Sequence, residues 1–169
     1  LKGIKPRIFP DFSSGGMADF TNYNDGKRGG KVRVRAKIKA IDKTTLHITE
    51  LPFSTNTSSL INSIIKANDK GKIKIKKIED NTAEKVEISI IIPTGISPDK
   101  TIDALYRFTD CELSISPLSC VINNNTPIFN GVSDLLQEST EHTLSLLSAE
   151  LEVNLKEFQD KWHFSSLER

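Results

Sequence analysis

Residues Lys31 to Lys39 read KVRVRAKIK, five cations alternating strictly with four apolar side chains. Period-two alternation fits a β-strand, whose successive side chains point to opposite faces. As a strand it carries Lys31, Arg33, Arg35, Lys37 and Lys39 on one face and Val32, Val34, Ala36 and Ile38 on the other. At about 3.3 Å per residue the cations extend over roughly 26 Å. Alternation alone is compatible with a half-buried strand bearing a solvated basic face. The sharper alternative is a surface that meets a polyanion, but antiparallel strands often alternate in this way, so alternation alone favours the solvated face.

The flanking sequence builds this strand into a sheet. Residues 1–30 are rich in turn formers: Pro6, Pro10, Gly15-Gly16, Asp25-Gly26 and Gly29-Gly30. After a turn at Asp42-Lys43-Thr44, Thr45–Leu51 alternates again, so 31–51 reads as a hairpin ended by Pro52. Thr55 or Thr57 is a candidate cap for a helix with apolar positions Leu60, Ile61, Ile64 and Ile65, and Gly71 suits its C-terminal turn. Lys72, Lys74 and Lys76 alternate with Ile73 and Ile75, a second basic strand. An apolar strand, Val86–Ile92, ends at Pro93. Ser97 and Pro98 open a second helix lined by Ile102, Leu105, Tyr106 and Phe108. Strands at Glu112–Ser116 and Leu118–Asn123 follow. Pro52, Ile61, Ile64 and Ile65 have counterparts 41 residues later at Pro93, Ile102, Leu105 and Tyr106. The order ββαββαββ predicts an α+β layer: one antiparallel sheet with both helices on one face.

From Gly131 the texture changes. Residues 132–167 contain neither Pro nor Gly, and Leu144, Leu147, Leu151, Leu155, Phe158 and Trp162 recur at steps of three and four. That is a coiled-coil seam on a long helix. The expected organisation is an α+β domain over 1–130 and the start of a long arm over 131–169. A helix of this length needs a partner along its seam, from elsewhere in the protein or from a second copy.

Net charge is +1, but residues 131–169 hold eight acids and three bases, leaving the rest at +6. The window 27–39 has seven bases, Lys27 and Arg28 included, and no acid. This asymmetry points to one nucleic-acid-facing part and one solvated part. Hydrophobic content of 37% is low for a compact globule and suggests an elongated or excised piece. A start at Leu1 and an end at Arg169 within helical sequence fit the same expectation of a fragment. Cys111 and Cys120 are expected as buried free thiols. No apolar run approaches the roughly 20 residues of a membrane helix.

Catalytic constellations are not evident. His47, His142 and His163 lack ligand spacing, and neither glycine pair is followed by the Lys-Ser/Thr of a phosphate loop. Asp11, Asp19 and Asp25 have no acid–base context. Tyr23 lies in a turn-rich loop, and Tyr106 falls at a packing position of a helix.

Five segments in order carry a resemblance: PDFSSGG from Pro10, NDGKRGGKVRVRAK from Asn24, ITELPF from Ile48, ANDKGKIKIKKIEDNT from Ala67, and the terminal WHFSSLER. Together they resemble the A subunits of bacterial type IIA DNA topoisomerases, the family that takes in those of topoisomerase IV and gyrase. The likeness covers essentially the whole chain, and its texture leans to the topoisomerase IV branch. Ser13 and Ser14 stand where the family usually has Pro and Thr.

The resemblance implies a tower domain and the start of the coiled-coil arm that carries a dimer gate. It implies a parent enzyme that passes one DNA duplex through another with ATP, relaxing and decatenating DNA. Its nucleophilic tyrosine would lie upstream of residue 1, so no catalytic residue is assigned here. Mg2+ and ATP would act through the B subunit, with no cofactor or metal ligand in these residues. Expected partners are double-stranded DNA, a second copy of the A subunit, and the B subunit, in the cytoplasm with the nucleoid. With the resemblance, the candidate DNA contacts are Lys27, Arg28, Lys31, Arg33, Arg35, Lys37, Lys39, Lys72, Lys74 and Lys76. The competing expectation is a structural spacer that braces the arm without touching DNA.

Overall fold

The computed structural model describes residues 6–123 and 125–167. Glu168 and Arg169, counted in the charge of the C-terminal stretch and as the end of its helix, lie outside the described residues. The class is α+β, with antiparallel strands throughout and a long C-terminal helix. In chain order the elements are β1 (Met17–Asp19), β2 (Val32–Arg35), β3 (Lys37–Ala40), β4 (Thr45–Glu50) and α1 (Thr57–Asp69). Next come β5 (Lys77–Asp80), β6 (Ile88–Ile91), α2 (Pro98–Phe108), β7 (Glu112–Ile115), β8 (Val121–Asn123), β9 (Thr126–Ile128) and α3 (Val132–Leu167).

The chain divides into two compact units. One holds Phe9–Asn24 and Arg28–Leu118, and the other includes Asp25–Lys27 and the chain from Ser119. Within the first, the expected single sheet is in fact two. A three-stranded sheet has the order β1-β2-β7, and a four-stranded sheet the order β3-β4-β6-β5. The basic stretch 31–39 is therefore not one strand but two, parted at Ala36. Ala36 donates its N–H to the Cys111 carbonyl (2.8 Å), in line with the β2–β7 register, but its carbonyl accepts the Tyr106 hydroxyl (2.9 Å) and so leaves the ladder. The Ala36 methyl group is fully buried. Cys111 is buried, while Cys120, also expected to be buried, is exposed. The alternation survives the crossing: Val32, Val34 and Ala36 point inward.

The core sits between the four-stranded sheet and the two short helices. Leu46 and Ile48 of β4 and Ile88 and Ile90 of β6 are fully buried, alternating with His47 and Ser89. Against them lie Leu60, Ile64 and Ala67 of α1 and Leu105 of α2. Burying side chains of this size contributes about 1.5–3 kcal/mol each. Ile61 and Ile102 pack at the margin, while Ile65 and Phe108, expected on the apolar stripes, are 43% and 48% exposed. The cap of α1 is neither threonine but Asn56, whose Oδ1 accepts the Ser59 N–H at 2.7 Å. Ser97 and Pro98 open α2 as expected, though the Ser97 side chain makes no capping bond.

The stretch Lys72–Lys76 is not a strand. Gly71 (φ +68°) turns the chain out of α1, and the Ile75 N–H is taken by Asn68 Oδ1 at 2.9 Å. A helix side chain thus occupies the donor that a strand neighbour would need. Only the last residue of the stretch reaches β6, where the Lys76 N–H meets the Ile91 carbonyl at 2.8 Å, and the ladder with β6 runs from Lys77.

In the second unit the β8–β9 hairpin precedes α3, 36 residues or roughly 54 Å of helix, with no buried residue along its length. No helix among the described residues is long and apolar enough to cross a membrane.

Candidate nucleic-acid interface

The ten candidate cations fall in different surroundings. On β2, the neighbouring strands supply counter-charges. Arg33 faces Asp19 of β1, with Nη2 donating to Oδ2 at 2.6 Å. Arg35 pairs with Glu112 of β7 across the register, and its guanidinium lies 4.9 Å from the Tyr106 ring centroid. Lys37 of β3 donates to Glu50 of β4 at 2.9 Å. The middle of the basic row is thus interleaved with three carboxylates, none visible in the acid-free window 27–39. They come from strands distant in sequence, so only cross-strand register could have revealed them.

Such contacts lower the pKa of Asp19 and Glu50. Thr21 and Arg33 hydrogen bonds hold Asp19 well below the usual carboxylate range. Glu50 is lowered by Lys37 and then by the Gly16 N–H, which donates to Oε2 at 2.8 Å. Glu50 therefore fastens the PDFSSGG loop to the ITELPF strand. Phe12 and Phe53, from the same two motifs, have ring centroids 4.9 Å apart. Gly16 is held at φ +85°, and a Cβ there would stand 2.6 Å from the Arg35 carbonyl oxygen. Motifs that look independent in sequence thus meet in one place.

Lys31 and Lys39, at the ends of the row, are exposed. Lys39 shares a cross-strand line with His47, Ser89 and Glu79 on the sheet face opposite the helices. His47 Nε2 lies 3.1 Å from Ser89 Oγ. A shallow groove on that face carries charges of both signs, Lys37, Lys39 and Lys85 with Glu50 and Glu87, around His47. Arg28 is exposed beside Gly29, and Lys74 and Lys76 are exposed in the bend before β5.

Lys27 belongs to the second unit. Its ammonium meets Asp134 at 2.9 Å, and that hydrogen bond raises its pKa. The adjacent Asp25, read in sequence only as a turn former, caps α3. Its carbonyl accepts the Val132 N–H (2.9 Å), and its carboxylate accepts the Ser133 hydroxyl (3.0 Å) and N–H (3.2 Å). Gly26 accepts the Ser119 N–H at 2.8 Å. A Cβ on Gly131 would lie 2.5 Å from Asp25 Oδ2.

A second concave surface of the first unit was not foreseen. It runs along the solvent side of α1, with Asn56, Ser59, Asn62, Lys66, Lys70 and Lys72 on its walls. Among the described residues, Asp110 is the one acid lining it. Its floor is tied down by Ser63, whose Oγ donates to the Leu60 carbonyl and accepts the Asp110 N–H at 3.1 Å. Lys72 Nζ sits 5.7 Å from the Phe108 ring centroid, which places a cation over an otherwise exposed aromatic face. The sequence signal was available: α1 has no acid before Asp69, and Lys66 and Lys70 are one helical turn apart.

The Tyr106 hydroxyl is spent on the Ala36 carbonyl, and burial raises its pKa. Tyr23 stacks near Phe9 and Phe20, at centroid distances of 5.9 and 6.2 Å.

Comparison with known proteins adds the lineage. Residues 3–169 match the DNA gyrase/topoisomerase IV family model for the A subunit. The chain is 40% identical over its full length to the A subunit of DNA topoisomerase 4 from Borreliella burgdorferi. It is 25% identical over 96% of its length to the DNA gyrase A subunit of the same organism, and 26% identical over 91% to that of Lawsonia intracellularis. The chain spans only 27%, 21% and 20% of the length of these relatives, respectively.

Proposed function

This chain belongs to the A-subunit family of DNA gyrase and topoisomerase IV, and from that membership we propose that it supports the bent, cleaved duplex and leads into the dimer-gate arm of a topoisomerase IV A subunit. The topoisomerase IV assignment rests on the identities to the two relatives from one organism, 40% against 25%. In this reading 1–130 is the tower and 131–169 the beginning of the arm. The parent enzyme relaxes and decatenates DNA by ATP-dependent strand passage in the cytoplasm, on the nucleoid. It works as an A-subunit dimer with B subunits, which handle ATP and Mg2+. The nucleophilic tyrosine lies outside these residues. Tyr106, with its hydroxyl committed to a backbone carbonyl, is unsuited to the role.

The observation that carries the DNA-supporting role is the run of cations from Arg28 to Lys39, exposed at Arg28, Lys31, Arg33 and Lys39. Phosphate contacts position a duplex without reading its sequence, and they offset a bending cost of about 1–6 kcal/mol. A specific observation also favours the spacer reading: Arg33, Arg35 and Lys37 are each matched to a carboxylate of a neighbouring strand. The deciding experiment places Arg33→Gln, Arg35→Gln and Lys37→Gln together in the full-length protein assembled with its B subunit. Weaker, less salt-dependent DNA binding and reduced cleavage are expected if the strand face bears on DNA. Unchanged affinity and cleavage would leave the spacer reading in possession of this face.

A further inference from the structure

We propose that the groove on the solvent side of α1 is a phosphate-backbone contact of this unit, with Lys66, Lys70 and Lys72 as its cations. It rests on the reading that the unit supports a duplex, and it assigns the contact to residues outside the strand row.

The argument begins with charge balance. On the strands, Arg33, Arg35 and Lys37 are answered by Asp19, Glu112 and Glu50. Along the α1 groove three lysines face one acid, Asp110. Among the described residues none of these three lysines is held in an ion pair, whereas the three cations in the middle of the row are each engaged by a carboxylate.

The neutral groups agree. Asn56, Ser59 and Asn62 follow one another along the same wall. Asn56 Oδ1 already accepts the Ser59 N–H, which leaves its amide N–H groups to donate outward. Hydroxyl, amide and ammonium donors are the set that meets phosphate and sugar oxygens in duplex contacts. Lys66 and Lys70, one helical turn apart, present their charges in file along the helix.

An acidic protein is the other anion to consider, and the groove suits it less. Protein interfaces are anchored by apolar side chains in desolvated pockets. Here the one large apolar wall residue is Phe108, half exposed and overlain by Lys72. The floor is also firm. Ser63 links α1 to Asp110, and Thr109 Oγ1 donates to the Leu105 carbonyl at 2.6 Å, so the donors stand on fixed backbone.

The test uses the full-length protein in complex with its B subunit. A fluorescent random-sequence duplex is titrated across a series of salt concentrations. In Lys66→Gln/Lys70→Gln/Lys72→Gln, the slope of log affinity against log salt should flatten by about 2–3, near 0.9 for each phosphate no longer neutralised. Binding near 0.1 M salt should weaken roughly tenfold or more. Thermal melting reports whether the variant is folded. If it is not, the pair Lys66→Gln/Lys70→Gln, which keeps the Lys72–Phe108 contact, should flatten the slope by about 2.

An unchanged slope and affinity in the groove variant overturns the proposal. If the strand variant at Arg33, Arg35 and Lys37 then flattens the slope, duplex support stands and only the α1 assignment falls. If neither variant does so, both fall. Unchanged DNA binding with weakened association of the B subunit would give the groove to acidic protein, again overturning it.

Discussion

Gly16 shows how much a single position can hold. It sits at φ +85° and leaves a Cβ only 2.6 Å from the Arg35 carbonyl oxygen and 3.0 Å from that of Leu51. Gly29 has a similar torsion, φ +90°, but open space around it. Gly16→Ala should therefore cost about 2–4 kcal/mol, backbone strain plus a collision with main chain. Gly29→Ala should cost about 1–2, strain alone. Urea denaturation of the two variants separates the contributions, and equal losses would mean that the close approach at Gly16 relaxes freely. Glu50, which receives the Gly16 N–H, makes a pH-dependent contribution. Its folded pKa lies below the ordinary glutamate value, so its stabilisation is fully present above about pH 4.3. It is lost as pH falls through the lowered folded value. Asp19 acts with the same sign. Stability measured at about pH 6 and about pH 3 should fall less steeply in Glu50→Gln than in the parent. An identical fall would remove Glu50 from the account.

At the scale of elements, α1 separates what alternation and periodicity encode from what they do not. Leu60 and Ile64 are fully buried, while Ile65, on the same predicted stripe, is 43% exposed. Ile64→Ala should lose about 2–5 kcal/mol and Ile65→Ala under about 1, measured by thermal or chemical unfolding. Comparable losses would mean that Ile65 is covered by something other than this unit. The apolar spacing of α1 and α2 was legible, as was the inward face Val32, Val34 and Ala36. The division of Lys31–Lys39 between two sheets was not, because the side-chain phase runs unbroken through Ala36. The break lies in hydrogen bonding: the two partners of Ala36 are Cys111 and Tyr106, some 70 residues away. Lys72–Lys76 misled for the complementary reason. Its alternation is real, with Ile73 buried and Lys72 and Lys74 exposed, but Asn68 takes the donor that a strand would use. At the candidate interface the cations were legible one by one. Their carboxylate partners were not, since strand register sets which acid stands opposite which base.

At the scale of the molecule, the two units should differ in how firmly they are held. The α3 helix has no buried residue, and Leu151, Phe158 and Trp162 of its seam are each about two-thirds or more exposed. An isolated helix without a packed face is marginal in water, whereas β4 and β6 enclose fully buried side chains. Hydrogen exchange on this chain alone should release the α3 amides beyond its first turns well before those of Leu46, Ile48, Ile88 and Ile90. Comparable protection in both would show that the seam is occupied, by a second copy in the simplest case. The first turn of α3 is the exception, because Asp25 accepts from Val132 and Ser133. The tripeptide Asp25–Lys27 has a wider consequence. Through the Ser119 N–H and hydroxyl, both on the Gly26 carbonyl, the chain leaves for Arg28–Leu118 and comes back at one residue pair. In the history of a lineage, such an excursion can gain or lose residues without displacing the helix that follows its return. Insertions and deletions among relatives should therefore gather inside 28–118. Gly26, Ser119 and Gly131 should stay small, and positions 119 and 131 should keep their spacing.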